Sequence, residues 1–160
     1  MTDSPHAAPR KFLVVVDKTP ECKVALRFAT RRAQHTGGRV TLICVAAPGD
    51  IQQWRGVEEI MREEAHEEAE AALHDAAKLV NELSGQMPEL VIEHGDTAEC
   101  VMNLIRSDKD ISILVLASGT SKEGPGPLVT LVAGPQAGAY PIPVTIVPGS
   151  LSDAAVDALA

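Results

Sequence analysis

Five short apolar runs, separated by segments with three- and four-residue apolar spacing, constrain this chain more than any other feature. The runs are KFLVVVD from Lys11 to Asp17, VTLICVA from Val40 to Ala46, LVIEH from Leu90 to His94, ISILVLA from Ile111 to Ala117, and VTIV from Val144 to Val147. Their continuous apolar character suits strands covered on both faces rather than strands with one wet side. Alternation of such strands with helical segments requires parallel pairing, because each crossover must return right-handed over the sheet. The pattern therefore predicts an α/β fold with a parallel sheet between helical layers.

Local signals place the helices. Thr19-Pro20-Glu21 can start one: Thr19 as cap, Pro20 at the first helical position and Glu21 at the positive end of the dipole. That helix is expected from Pro20 to His35, stopped by Gly37-Gly38. From Trp54 to Leu83 a long pattern follows, with Val57, Ile60, Met61, Ala65, Ala69, Leu73, Ala76, Val80 and Leu83 on one stripe and glutamates opposite. His66, Glu70 and His74 fall at i, i+4 and i+8 on that helix, the spacing of a surface metal site and equally of a solvated face; the solvated face is the reading adopted, and no metal is expected. Asp96 and Thr97 can cap a third helix reaching Ser107, and Leu128 to Ala133 suits a short one that Pro135 would end. Residues 1–10 and 150–160 read as tails around a domain spanning 11–149.

Composition narrows the function classes. A chain of 160 residues that is 45% hydrophobic can bury roughly two-thirds of its unfolded surface in one core. With aromatics at 2%, that core is expected to be aliphatic, and stacking platforms for single-stranded nucleic acid are not expected. A net charge of −8 argues against a phosphate-backbone partner. Cys22, Cys44 and Cys100 are odd in number and widely spaced, so neither a disulfide framework nor a zinc site is indicated, and a cytoplasmic location is expected. No apolar run approaches the length of a transmembrane helix, and the N-terminus lacks a signal-peptide core.

In doubly wound sheets ligands bind beyond the carboxyl ends of the strands, where strand order reverses. Two features end strands and should face that crevice. One is Asp17. The other is the loop Ser118, Gly119, Thr120 and Ser121, whose successive N–H groups could cradle an anion with Lys122 as counter-charge, or could simply connect a strand to a helix. Pro125 to Pro127 stiffens the loop exit. No nucleophile elbow, Walker A sequence or closely spaced Ser/His or Cys/His pair points to an enzyme.

From Lys11 to Val147 the chain resembles the universal stress protein family. VVVDKTPECKVALRFATRRAQHTGGRVTLICVAAP is similar to that family's first strand, Asp-containing turn, first helix and second strand; GDTAECVMNLI, ISILVLAS and PIPVTIVP are similar to later pieces in the same order. The resemblance implies a three-layer Rossmann-like fold, a five-stranded parallel sheet of order 3-2-1-4-5, and a homodimer paired through the last strand, Val144, Thr145, Ile146 and Val147. It also implies a choice, because the family has ATP-binding members, marked by G-x2-G-x9-G-[ST] after the fourth strand, and members without that site. Aligned without gaps, the three glycine positions fall on Ala117, Thr120 and Thr130, and the hydroxyl position on Leu131. A shifted alignment recovers Gly124 and Gly134 but puts Ser121 and Pro135 at the other two positions. Asp17 matches the family's residue near the nucleotide and Val45 an adenine-contacting position, although a turn cap and plain core are the competing roles for these two. The expected function is a non-enzymatic cytoplasmic stress-response or signalling protein without the standard ATP pose. The alternative is a switch that binds ATP or another adenine nucleotide through Asp17, Val45, Ala117, Ser118, Gly119, Thr120 and Thr130.

Overall fold

The computed structural model describes residues 9–46 and 58–160. Five strands, β1 (Lys11–Val15), β2 (Arg39–Ala46), β3 (Glu89–His94), β4 (Ile111–Ser118) and β5 (Val144–Pro148), alternate with helices α1 (Cys22–Thr36), α2 (Glu58–Ser84), α3 (Thr97–Ser107) and α4 (Pro127–Val132); a fifth helix, α5 (Asp153–Leu159), closes the described chain. The sheet order is β3-β2-β1-β4-β5, and every pairing is parallel.

Side chains alternate along each strand, so the sheet has two apolar faces and two cores. Phe12, Val14, Val40, Leu42 and Cys44 pack against Leu26 and Ala29 of α1 and Leu73 and Val80 of α2. Leu13, Val15, Ile43, Leu114 and Leu116 pack on the other side against Val101 and Ile105 of α3 and Val129 and Val132 of α4. Burying this much aliphatic surface on both faces is what holds the three layers together, at roughly 25 cal/mol per Å² of apolar area. Gly37 ends α1 in the left-handed region, φ 70°, where its N–H bonds the Ala33 carbonyl; this is the stop expected there.

Three expectations need correction. First, α1 starts at Cys22 rather than Pro20, and Thr19 does not cap it. Asp17 takes both the backbone N–H (2.9 Å) and the hydroxyl of Thr19, so the residues between strand and helix form a carboxylate-held turn instead. Second, α2 buries Ala69, Leu73, Ala76 and Val80, whereas Ile60, near its start, is 57% exposed. The expected stripe packs only where α1 and the sheet lie beneath it; Trp54 and Val57 fall outside the described residues. Third, 150–160 is not a surface tail. Ser152 caps α5 by accepting from the Ala155 N–H, Val156 is buried against the rest of the protein, and Asp157 forms two 2.7 Å bonds to Arg27 and one of 3.0 Å to Arg31. The sequence signal was weak because this helix has seven residues and one buried valine, too little for a period to show.

Candidate functional site

Because β1 has β2 on one side and β4 on the other, consecutive connections leave it in opposite directions and part at the carboxyl ends of β1 and β4. A cavity of about 390 Å³ opens there, within the roughly 300–1,000 Å³ range of small-molecule pockets. Its floor comes from Val15, Val16, Val45, Leu116 and Ala117; α1 contributes Cys22 and Ala25; Asp96, Thr97 and Ala98 form the wall at the start of α3; Pro125 to Val129 and Leu131 form the wall at α4.

Among the residues singled out in the sequence, Asp17, Val45 and Ala117 come together in this cavity. Ser118, Gly119, Thr120 and Thr130 do not line it. The loop after β4 is folded partly upon itself. Gly119 N–H donates to the Pro125 carbonyl (3.0 Å), Gly124 N–H to the Ser121 carbonyl (3.1 Å) and Glu123 N–H to the Ser121 hydroxyl (3.3 Å). These donors are spent on the loop's own shape. Gly149 N–H bonds the Ser118 carbonyl (2.9 Å), and a Cβ at Gly149 would collide with that same oxygen, so the loop is pinned to the chain leaving β5. Thr130 is exposed, and its hydroxyl donates to the Gly126 carbonyl (2.8 Å) inside α4. The neighbouring Leu131 is the residue that faces the cavity.

Sequence reasoning missed Glu21 and Asp96 as wall residues, having assigned them to the ends of helices. Asp96 does cap α3, accepting from Glu99 N–H (2.9 Å), and it also borders the cavity. The available signal was its position two residues after β3, which the sheet order carries to the same rim as Asp17.

The electrostatics of this wall are one-sided. Asp17, Glu21 and Asp96 are carboxylates, and no Lys or Arg stands among the lining residues. Lys18 turns away to Glu68 (2.8 Å), and Lys122 is exposed outside the cavity. At α4, Pro127 occupies the first position and supplies no N–H, and the next side chains into the cavity are Leu128, Val129 and Leu131. Cys22 is buried, and desolvation pushes its thiol up to about 11, so at neutral pH it is a protonated wall residue rather than a nucleophile. Chemically, the cavity offers apolar contact and hydrogen-bond acceptors and repels dense negative charge.

A model of the universal stress protein family matches residues 9–148. No curated protein sequence matches the chain significantly. Among solved structures, the chain is similar to the universal stress protein UspA from Lactobacillus plantarum, with 16% identity, 89% of this chain and 99% of that chain covered, and a TM-score of 0.72. It is similar to a universal stress protein family member from Burkholderia pseudomallei, with 21% identity, 90% and 99% covered, and a TM-score of 0.67. A third is a universal stress protein family protein from Arabidopsis thaliana with AMP bound, with 16% identity, 88% and 92% covered, and a TM-score of 0.61.

Proposed function

The chain belongs to the universal stress protein family, and from that premise we propose that it is a non-enzymatic stress-response or signalling protein in which the family's standard ATP pose has been lost. The observation that carries this reading is the cavity wall. A triphosphate laid towards α4 would meet Pro127, Leu128 and Leu131 with Asp17, Glu21 and Asp96 nearby, and no lining cation would offset its charge. Like charges held close in a partly desolvated site cost several kcal/mol, at the effective dielectric of roughly 20 found near protein surfaces. The ungapped alignment supports the same reading, since the positions of the ATP motif carry Ala117, Thr120, Thr130 and Leu131.

A second reading is favoured by two observations. Val45 and Asp17, which match the family's adenine-contacting position and its residue near the nucleotide, share the cavity, and the similar Arabidopsis protein holds AMP. On this reading the chain is an adenine-nucleotide switch that takes a ligand with few phosphates. Calorimetric titration of the purified protein with ATP, AMP and adenosine separates the two. The first reading expects no saturable heat with ATP up to millimolar concentration. Micromolar ATP affinity, or ATP released from freshly purified protein on denaturation, would overturn it, and saturable binding of AMP alone would establish the second.

We further propose a homodimer paired through β5. That strand is an edge of the sheet, it carries no charged residue, and Ile146 on it is 38% exposed. A cytoplasmic location is supported by three free cysteines. Among the described residues no helix is long and apolar enough to cross a membrane.

A further inference from the structure

Away from the cavity, two histidines meet across elements. His66 lies on α2 and His94 is the last residue of β3. His66 Nδ1 is 3.2 Å from His94 Nε2, the ring centroids are 5.2 Å apart and the planes differ by 8°. Along the sequence His66 groups with Glu70 and His74 on one helix face; the fold instead sets it against a residue 28 positions away. Two ring nitrogens this close cannot both carry a hydrogen towards each other, so at least one presents a lone pair. Neither ring makes another side-chain hydrogen bond or ion pair among the described residues.

That separation has a second meaning. Imidazole nitrogens bind zinc at about 2.0–2.1 Å, and two nitrogens 3.2 Å apart then subtend roughly 100–105° at the metal, near the tetrahedral angle. We propose that His66 and His94 form a two-histidine site for a divalent transition metal of the zinc and nickel class, clasping α2 to the end of β3. Binding requires the two near-parallel rings to rotate about their side-chain torsions until both lone pairs meet at the metal. The surroundings favour a cation: exposed Glu63, Glu67 and Glu70 flank His66 on α2, exposed Glu93 precedes His94, and the chain carries a net charge of −8. Imidazole ligands select zinc, nickel and copper over magnesium and calcium, which prefer oxygen. No third His, Cys, Asp or Glu joins the pair among the described residues, so solvent completes the coordination and the affinity belongs in the micromolar range rather than that of a closed structural site.

Calorimetric titration of the full chain with zinc chloride and nickel chloride tests this directly. One equivalent of each is expected to bind at micromolar concentration, with magnesium giving no heat. His66→Ala and His94→Ala should each weaken binding at least tenfold, while His74→Ala should leave it unchanged. If an alanine variant fails to fold, His66→Gln and His94→Gln serve in its place. In the unmodified protein, substoichiometric copper(II) should broaden amide resonances centred on His66 and His94. Absence of zinc and nickel binding, retention of affinity in both histidine variants, or broadening centred elsewhere would overturn the proposal.

Discussion

Thr41 shows how a single atom records a cost within an otherwise apolar core. It is fully buried in β2, and its hydroxyl has no hydrogen-bond partner. A buried polar group left unpaired costs about 1–3 kcal/mol, and valine has the same shape without the hydroxyl. Thr41→Val is therefore expected to stabilise the protein by about 1 kcal/mol in urea denaturation; a loss of stability would mean that the hydroxyl is paired in solution. At this scale the candidate site was partly legible. Asp17, Val45 and Ala117 end strands, and strand ends converge in any sheet of this topology. Glu21 and Asp96 were not, because their place at the rim depends on how α1 and α3 leave the sheet. Of Thr130 and Leu131, both aligned with the motif, only Leu131 lines the cavity, because the phase of α4 decides which of two adjacent residues turns inward.

Among the elements, α5 was the least legible and is held by the clearest ion pairs. Arg27, with Arg31 beside it, holds the Asp157 carboxyl well below the usual carboxylate range. The folded protein thus binds that proton less readily than the unfolded chain. The stability this clasp contributes is present above about pH 4 and is lost as pH falls further. Thermal melts from pH 7 to pH 3 should show this acid loss in the unmodified protein and a shallower one in Asp157→Asn; identical profiles would remove α5 from the acid response. The strands and the three longer helices, α1, α2 and α3, were legible because each has an unambiguous period or a continuous apolar run. Their ends were less so: Thr19 and Pro20 carry every mark of a helix start, yet the Asp17 carboxylate captures Thr19 first.

For the molecule as a whole, the two edges of the sheet differ in a way that bears on assembly. β3 presents Glu89, Glu93 and His94, all exposed, and such charge discourages strand addition. β5, with Val144, Thr145, Ile146 and Val147, has no such guard. Sedimentation velocity should therefore give a dimer at micromolar concentration, and Ile146→Lys should give a monomer with unchanged secondary structure. A monomeric parent protein, or a lysine variant that still dimerises, would reject pairing through this edge.

What the amino-acid order determined by itself was the layered α/β architecture, because apolar periodicity and parallel crossovers are local and chiral constraints that leave few topologies. It also determined that the ends of β1 and β4 would share a crevice, although of the two features expected there Asp17 lines the cavity and the Ser118 to Ser121 loop does not. Tertiary structure alone decided the rest: that Gly119, Glu123 and Gly124 spend their N–H groups within the loop after β4, that three carboxylates surround the cavity, that α5 docks, and that His66 faces His94 rather than His74. Each of these depends on the direction of a side chain or N–H group once distant segments are packed, and no spacing along the chain encodes that direction.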